Sequence, residues 1–466
     1  MARESILQQP AADNATVTIN PTTGTALAVW QLASSADIES ALVAADRAAM
    51  PWRRRAIDER AALLRNVAAQ LRQNSDKLAR LVTLEMGKPL AEARGEIEKS
   101  AWNCEYVAEH GAAWLADEEV ATQARRSYIS YLPVGVVLSI LPWNFPVWQI
   151  FRCAASALMA GNVLLLKHAP NVQGCANLVT ELLTAAGLPA GVFQNLHAPV
   201  PAIGTIIADR RVAAVTLTGS PAAGAKVAAQ AGAAVKKSVL ELGGSDAFIV
   251  LADADVDAAV AAAVRARFSN CGQVCLAAKR FIIEASIADR FTEAFAAAAA
   301  ALRSGDPLEA TTQLGPMARD DLREQLEQQV ESSLQAGAKL VTGGKRPDRA
   351  GWYYPPTVLT NVSKDMSVVA QETFGPVAAV LTARNAEEAV AMANDSAFGL
   401  SAMVWTDPAR GQQLARDLAV GGVFINAVTA SDPRLPVGGV KLSGYGRELG
   451  RAGMLELCNG QTVWVA

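Results

Sequence analysis

Between residues 134 and 251 the chain repeats one texture, short continuously apolar runs separated by stretches with helical spacing. The runs are VGVVLSI (134–140), NVLLLK (162–167), AAVTLT (213–218), SVLEL (238–242) and AFIVL (247–251). A strand that is apolar at every position is covered on both faces, and parallel strands joined by crossover helices achieve that. The expected class is α/β, with a doubly wound open sheet. Upstream, residues 36–110 carry apolar positions at three- and four-residue intervals and read as helix-rich. From about Leu242 a second α/β unit begins, with Ala-rich helices over 254–268 and 286–305 that end near Gly305. The tail LCNGQTVWVA (457–466) alternates like a short strand, an edge suited to pairing with another subunit.

Composition narrows what such a chain does. Its 466 residues are 51% hydrophobic and 19% charged, enough to bury large cores without covalent staples. A formal charge of −3 and the lack of a long basic run argue against nucleic acid as a partner. The most apolar windows, Val134–Leu141 and Phe291–Leu302, are too short or interrupted to span a bilayer, so no membrane partner is expected. The N-terminal stretch has no apolar core of signal-peptide length. Six cysteines in so long a chain do not form a disulfide framework, and a cytoplasmic location is expected.

Five stretches carry chemistry. In ILPWNFPVWQ (140–149), Pro142 and Pro146 stiffen a turn that follows the first apolar run and presents Trp143 and Asn144. An Asn amide held there either donates to a developing oxyanion or only satisfies its own backbone. In LLLKHAPN (164–171), Lys167 leaves a strand for a loop, where it faces a sugar hydroxyl or phosphate or simply reaches solvent. TLTGSPAAGAK (216–226) reads as strand, glycine turn and helix, with Ser220 as cap and free N–H groups suited to a pyrophosphate. It lacks the Gly-x-Gly-x-x-Gly fingerprint. In LELGGSDAF (240–248), Glu241 ends an apolar strand before two glycines, where burial would raise its pKa towards that of a general base. A structural partner is the other reading.

The fifth stretch, FSNCGQVCLAAKR (268–280), holds Cys271 and Cys275. Three histidines and no further close cysteine pair leave too few ligands for a closed zinc site, so no metal is expected. Cys275 follows Gly272-Gln273, where glycine permits close approach of backbone to a substrate. A free thiol is only ~3% ionised at pH 7 and needs help to act as a nucleophile. Buried filler is the competing reading.

Taken together and in order, PWNFP, LELGG, FSNCGQVCLAAKR, ETFGPV (372–377), NDSAFGLSA (394–402) and PVGGVKLSGYGRELG (436–450) resemble the aldehyde dehydrogenase superfamily over essentially the whole chain. Within it the similarity is greatest to bacterial succinate semialdehyde dehydrogenases of the Sad type. The resemblance implies Cys275 as nucleophile, Asn144 with the Cys275 N–H as oxyanion hole, and Glu241 as general base. It implies NAD as cofactor, held by Ile140, Leu141, Trp143, Lys167, Gly219, Ser220, Leu242, Glu372 and Phe374. Pro170 stands where many NAD-preferring relatives carry an acid, so a 2′-phosphate is not repelled and NADP remains possible. Position 277 is Ala, which removes the second cysteine of a regulatory disulfide found in some relatives.

For a small-molecule aldehyde bearing a distal carboxylate, the resemblance points to Arg152, Trp148 and Ser431, with Arg434 as a further candidate; pairing of Arg152 with an internal acid is the alternative. Phe268 either lines the substrate tunnel or fills core. The implied layout is a Rossmann-type cofactor domain (1–112 and 134–242), an α/β catalytic domain (243–440) and a small β oligomerisation arm (113–133 and 445–466), assembling as homodimer or homotetramer. The implied reaction is oxidation of succinate semialdehyde to succinate. Another aliphatic or aromatic aldehyde is the alternative substrate. A CoA-acylating enzyme would not need Glu241, and an inactive homologue would not need Cys275, Glu241 and Asn144 together.

Overall fold

A computed structural model describes residues 14–466. Residues 1–13, counted above with the cofactor domain and read as lacking a signal peptide, lie outside the described residues. Four helices, Ser35–Arg54, Ile57–Gln73, Ser75–Met86 and Leu90–Trp114, occupy the region of helical spacing. A hairpin of Ala15–Asn20 and Thr25–Gln31 precedes them.

The apolar runs form the heart of a six-stranded sheet. Its order is Gly444–Tyr445, Lys237–Glu241, Val212–Thr218, Val136–Ile140, Val163–Lys167, Phe193–Asn195. All neighbours are parallel except the short Gly444–Tyr445 strand. The helices Trp148–Ala160 and Gln173–Ala185 cover it, and nearly every position of both central strands is buried, as continuous apolarity requires. Gly161, at φ 97°, ends the first of these helices in the left-handed conformation that glycine alone adopts cheaply.

A seven-stranded sheet follows, with order Lys339–Thr342, Thr357–Thr360, Val377–Ala383, Ala278–Glu284, Asp246–Val250, Ser401–Trp405, Gly422–Ile425. It is parallel apart from Lys339–Thr342. Each sheet has its own buried apolar cluster. The Ala-rich helices run over Val256–Phe268 and Ala288–Ala300, the second ending before Gly305.

Two readings become specific, and the tail strand keeps one free edge. The tail strand Cys458–Val465 pairs antiparallel with Arg126–Pro133 of the same chain, which extends to Glu118–Glu119 in a three-stranded sheet. Alternation identifies a strand, not the strand it pairs with. Phe268 is core, stacked on Phe295 with centroids 5.9 Å apart.

The junction of the two sheets makes the site. Lys237–Glu241 ends the first sheet, Gly243-Gly244 turn the chain, and Asp246–Val250 begins the second. Asp246 lies level with Ala278 across the ladder, so the segment just before Ala278 is drawn beside Glu241.

Candidate active site

Cys275 stands where two cavities meet. One, of about 530 Å³, is lined by Trp143, Asn144, Gly219, Ser220, Leu242, Glu372 and Phe374 among others. The second, of about 360 Å³, is lined by Lys99, Phe145, Trp148, Arg152, Arg265 and Ser431 among others. Cys275 and Gln149 line both. The thiol is therefore the point that a ligand in either cavity can touch.

The loop that carries it is built under strain. Asn270, Cys271 and Gly272 take φ values of 52°, 54° and 71°, two of them in side-chain-bearing residues that avoid this region. Three anchors hold the turn. Asn270 Nδ2 donates to the Asn144 and Gln273 carbonyls at 2.9 and 3.2 Å. The Asn270 N–H donates to Glu92 at 2.8 Å. Arg267, wholly buried, donates to the Gly272, Ala278 and Gly375 carbonyls at 2.6, 2.9 and 2.7 Å. A Cβ on Gly272 would run into the Gly375 carbonyl and the Arg267 guanidinium, so no larger residue fits. Sequence reasoning passed over Arg267; a lone arginine ending an Ala-rich helix carries no pattern that separates it from a solvated one.

Asn144 donates through Nδ2 to the Gln273 carbonyl at 3.0 Å, which leaves its second amide hydrogen free. Among the described residues no acceptor takes the Cys275 backbone N–H. Two donors thus stand available beside the thiol. The turn bearing Asn144 is held from below: Glu96 accepts the Val147 and Trp148 N–H groups at 2.8 and 3.0 Å, capping the Trp148–Ala160 helix. Its other oxygen pairs with buried Lys88, whose ammonium lies 3.6 Å from the Phe145 ring centroid.

Charge around the thiol is uneven. Burial pushes Cys275 up to about 11, while Arg152 and Lys279 pull the other way. Lys279 is buried beneath, donating to the Val274 and Cys275 carbonyls and lying 3.5 Å from Glu372. Glu241 is almost fully buried, and burial lifts its pKa to about 8 against the attraction of Arg152. One of its oxygens has no hydrogen-bond partner. Neither Glu241 nor Lys167 is among the residues lining the two cavities. Cys271 is buried in the core of the second sheet, and burial keeps its thiol well above the usual range.

Arg152 is a correction. It pairs through Nε with Glu448, donates to Thr218 Oγ1 at 2.9 Å and lies 3.9 Å from Glu241. Its charge is already answered inside the protein, so the expected clamp for a substrate carboxylate is an internal ion pair. Nothing in the sequence marked Glu448, nearly three hundred residues away, as its partner. Arg434 likewise pairs with Asp432, with contacts of 2.7–2.8 Å.

The larger cavity is shaped for an extended molecule with an anionic middle. Ser220 caps the Pro221–Ala233 helix, accepting the Ala223 N–H at 3.3 Å, and the first turn of that helix faces the cavity across Gly219. Trp143 and Phe374 meet edge to face at 5.7 Å. The Glu372 carboxylate fills the space that a Cβ on Gly243 would occupy, and accepts the Gly244 N–H at 3.0 Å. Ile140 and Leu141 border the Lys167 strand end, the Leu141 N–H donating to the Lys167 carbonyl at 3.1 Å. Burial lowers the Lys167 pKa, and among the described residues no acid pairs with it. No group of three metal-ligating side chains occurs among the described residues.

Comparison with known proteins gives the constellation a context. The model of the aldehyde dehydrogenase family matches residues 8–463. The succinate semialdehyde dehydrogenase [NAD(P)+] Sad of Escherichia coli K12 is 53% identical over 449 residues, covering 96% of this chain and 97% of that protein. The succinate-semialdehyde dehydrogenase [NADP(+)] 1 of Mycobacterium tuberculosis H37Rv is 48% identical over 453 residues, covering 96% and 99%. The crystal structure of succinic semialdehyde dehydrogenase from Streptococcus pyogenes, in complex with NADP+, superposes with a TM-score of 0.95 at 36% identity, covering 97% of this chain and 100% of that one. A match running through both sheets and the junction between them leaves one assignment: the chain belongs to the aldehyde dehydrogenase family.

Proposed function

We propose that the protein oxidises succinate semialdehyde to succinate with NAD or NADP, using Cys275 as nucleophile, Asn144 as oxyanion donor and Glu241 as general base. The observation that carries this reading is the position of Cys275 at the meeting of two cavities, one suited to a dinucleotide and one to a small substrate. The relatives acting on succinate semialdehyde, at 48–53% identity over nearly full length, support the choice of aldehyde.

The residues present fit the cofactor. The capped helix after Gly219-Ser220 would supply N–H groups to a pyrophosphate, Glu372 and, from just outside the cavity wall, Lys167 would hold ribose hydroxyls, and Leu242, Trp143 and Phe374 would bound the apolar remainder. Pro170 leaves a 2′-phosphate unopposed. When bound, the nicotinamide supplies the hydride acceptor.

The protein's own groups do the rest. The Cys275 thiolate adds to the aldehyde carbon, and the new oxyanion receives the free Asn144 N–H and the Cys275 backbone N–H. Loss of hydride from that carbon leaves a thioester on Cys275. Glu241, swung from its present place near Arg152, takes a proton from water, which attacks the thioester and frees succinate and the thiol. Of the described residues, 14–112 and 134–242 form the cofactor domain on this reading, 243–440 the catalytic domain, and 113–133 with 445–466 the arm through which a homodimer or homotetramer assembles. Trp464, half exposed on the outer strand of that arm, suits such a contact. Six unpaired cysteines suit a reducing cytoplasm.

The test follows absorbance of reduced nicotinamide with succinate semialdehyde and no CoA, for the native protein and Cys275→Ser. Reduction that the substitution abolishes is the expected result. No reduction by the native protein, or undiminished reduction by the variant, overturns the reading.

A further inference from the structure

Both arginines that the sequence put forward for a substrate carboxylate are occupied, Arg152 by Glu448 and Arg434 by Asp432. The cavity beyond Cys275 nevertheless contains a partly buried cation. Lys99, on the Leu90–Trp114 helix, places Nζ 2.8 Å from Ser431 Oγ and 4.3 Å from the centroid of the Trp148 ring. Lys99, Ser431 and Trp148 line the same cavity as the Cys275 thiol. Among the described residues no acid lies within ion-pair distance of Lys99, although one ammonium bonded to a single hydroxyl has two further hydrogens to give.

Ser431 completes the pattern. Its buried oxygen accepts twice, from Lys99 and from Trp148 Nε1 at 3.1 Å. With both lone pairs used, the hydroxyl hydrogen can only donate, and among the described residues no protein acceptor takes it. An ammonium and a hydroxyl therefore converge as donors in a cavity whose wall also includes Glu92 and Glu96, carboxylates already engaged by the Asn270 N–H and by Lys88 with the Val147 and Trp148 N–H groups. Burial and the neighbouring Arg152 push Lys99 down to about 8 against the weaker attraction of Asp432 and Glu96, a net penalty on its charged form that an arriving anion would offset.

We propose that Lys99 and Ser431 form the receptor for a carboxylate at the far end of the aldehyde, and that Lys99 sets the preference for ω-carboxy aldehydes over uncharged ones. The proposal rests on the reading of Cys275 as the nucleophile that attacks the aldehyde end. Arg265 lines the same cavity but is exposed, so its attraction for an anion is screened by water and salt.

Two measurements test it. Calorimetry follows succinate binding to the native protein, Lys99→Met, Lys99→Arg and Arg265→Gln; steady-state kinetics compare succinate semialdehyde with butanal for the same set. A charge-assisted contact of this kind is worth roughly tenfold to a hundredfold in affinity. Lys99→Met should weaken succinate binding by about that factor and raise KM for succinate semialdehyde to match. Its effect on butanal should be at least tenfold smaller, and Lys99→Arg should recover most of the loss. Equal losses on both aldehydes, unchanged succinate binding, or a larger effect from Arg265→Gln overturn the proposal. If the native protein binds succinate through Lys99 but does not oxidise succinate semialdehyde, the receptor stands and the proposed function fails. If it oxidises succinate semialdehyde and Lys99→Met is indifferent, the function stands and the receptor fails.

Discussion

Arg152 and Glu448 form an ion pair in which both side chains are almost wholly withdrawn from water. The pair joins the helix after the Asn144 turn to the segment that follows Gly444–Tyr445, directly behind the thiol and Glu241. Removing one member of such a pair leaves the other charge buried and alone, at a cost of about 3–5 kcal/mol. Arg152→Leu should therefore lower the melting temperature and depress activity on charged and uncharged aldehydes alike. A selective rise in KM for succinate semialdehyde, with unchanged melting, would restore Arg152 as a substrate clamp.

As the proposed general base, Glu241 would separate the two halves of the reaction. Glu241→Gln keeps the shape but loses the base, so a burst of reduced nicotinamide equal to the active sites should survive. Steady turnover should then fall by roughly 10²–10⁴. Stopped-flow absorbance reads both phases, and loss of the burst would place Glu241 before thioester formation.

The same carboxyl predicts a pH profile. Burial holds it at about 8, and only its ionised form accepts a proton from water. Thioester hydrolysis should be slow below that pH, rise through it and level off above. Single-turnover deacylation measured from pH 6 to 10 checks the sign, and a rate that falls as pH rises contradicts it.

Asn144→Ala removes one oxyanion donor and the tie to the Gln273 carbonyl. The expected loss is roughly 10²–10³ in kcat with little change in KM. A change confined to KM would make Asn144 a binding residue only.

Glu96 borders the smaller cavity and supports the turn that carries Asn144. Glu96→Gln weakens the cap on the Val147 and Trp148 N–H groups and leaves buried Lys88 without its counter-charge. Thermal unfolding should occur several degrees lower, and Lys88→Met added to Glu96→Gln should recover part of the loss, because the orphaned charge is gone.

Local pattern carried the architecture well and the support of the site poorly. The strands at 136–140, 163–167, 212–218, 237–241 and 246–250 were visible because burial on both faces keeps most positions of a run apolar. Cys275, Asn144 and Glu241 stood out by their glycine and proline neighbours, which reshape the backbone locally. Lys99, Glu96, Arg267 and Glu448 did not. Each sits at an ordinary charged position of a helix or loop, and its meaning comes from a partner brought near only by the packing of two sheets. Arg152 shows the cost: an arginine near a substrate cavity reads as a receptor until Glu448 is seen to answer it.

Arg267 ties the Gly272 carbonyl, three residues before the nucleophile, to the Gly375 carbonyl beside Phe374. One planar cation thus sets the spacing between the Cys275 loop and the Phe374 wall of the larger cavity. That spacing is common to every aldehyde the scaffold could process. The opposite wall, built from Lys99, Trp148 and Ser431, is held by separate contacts. Descendants of this chain could exchange those three side chains for a new diet of aldehydes while the redox geometry passes unchanged from one to the next.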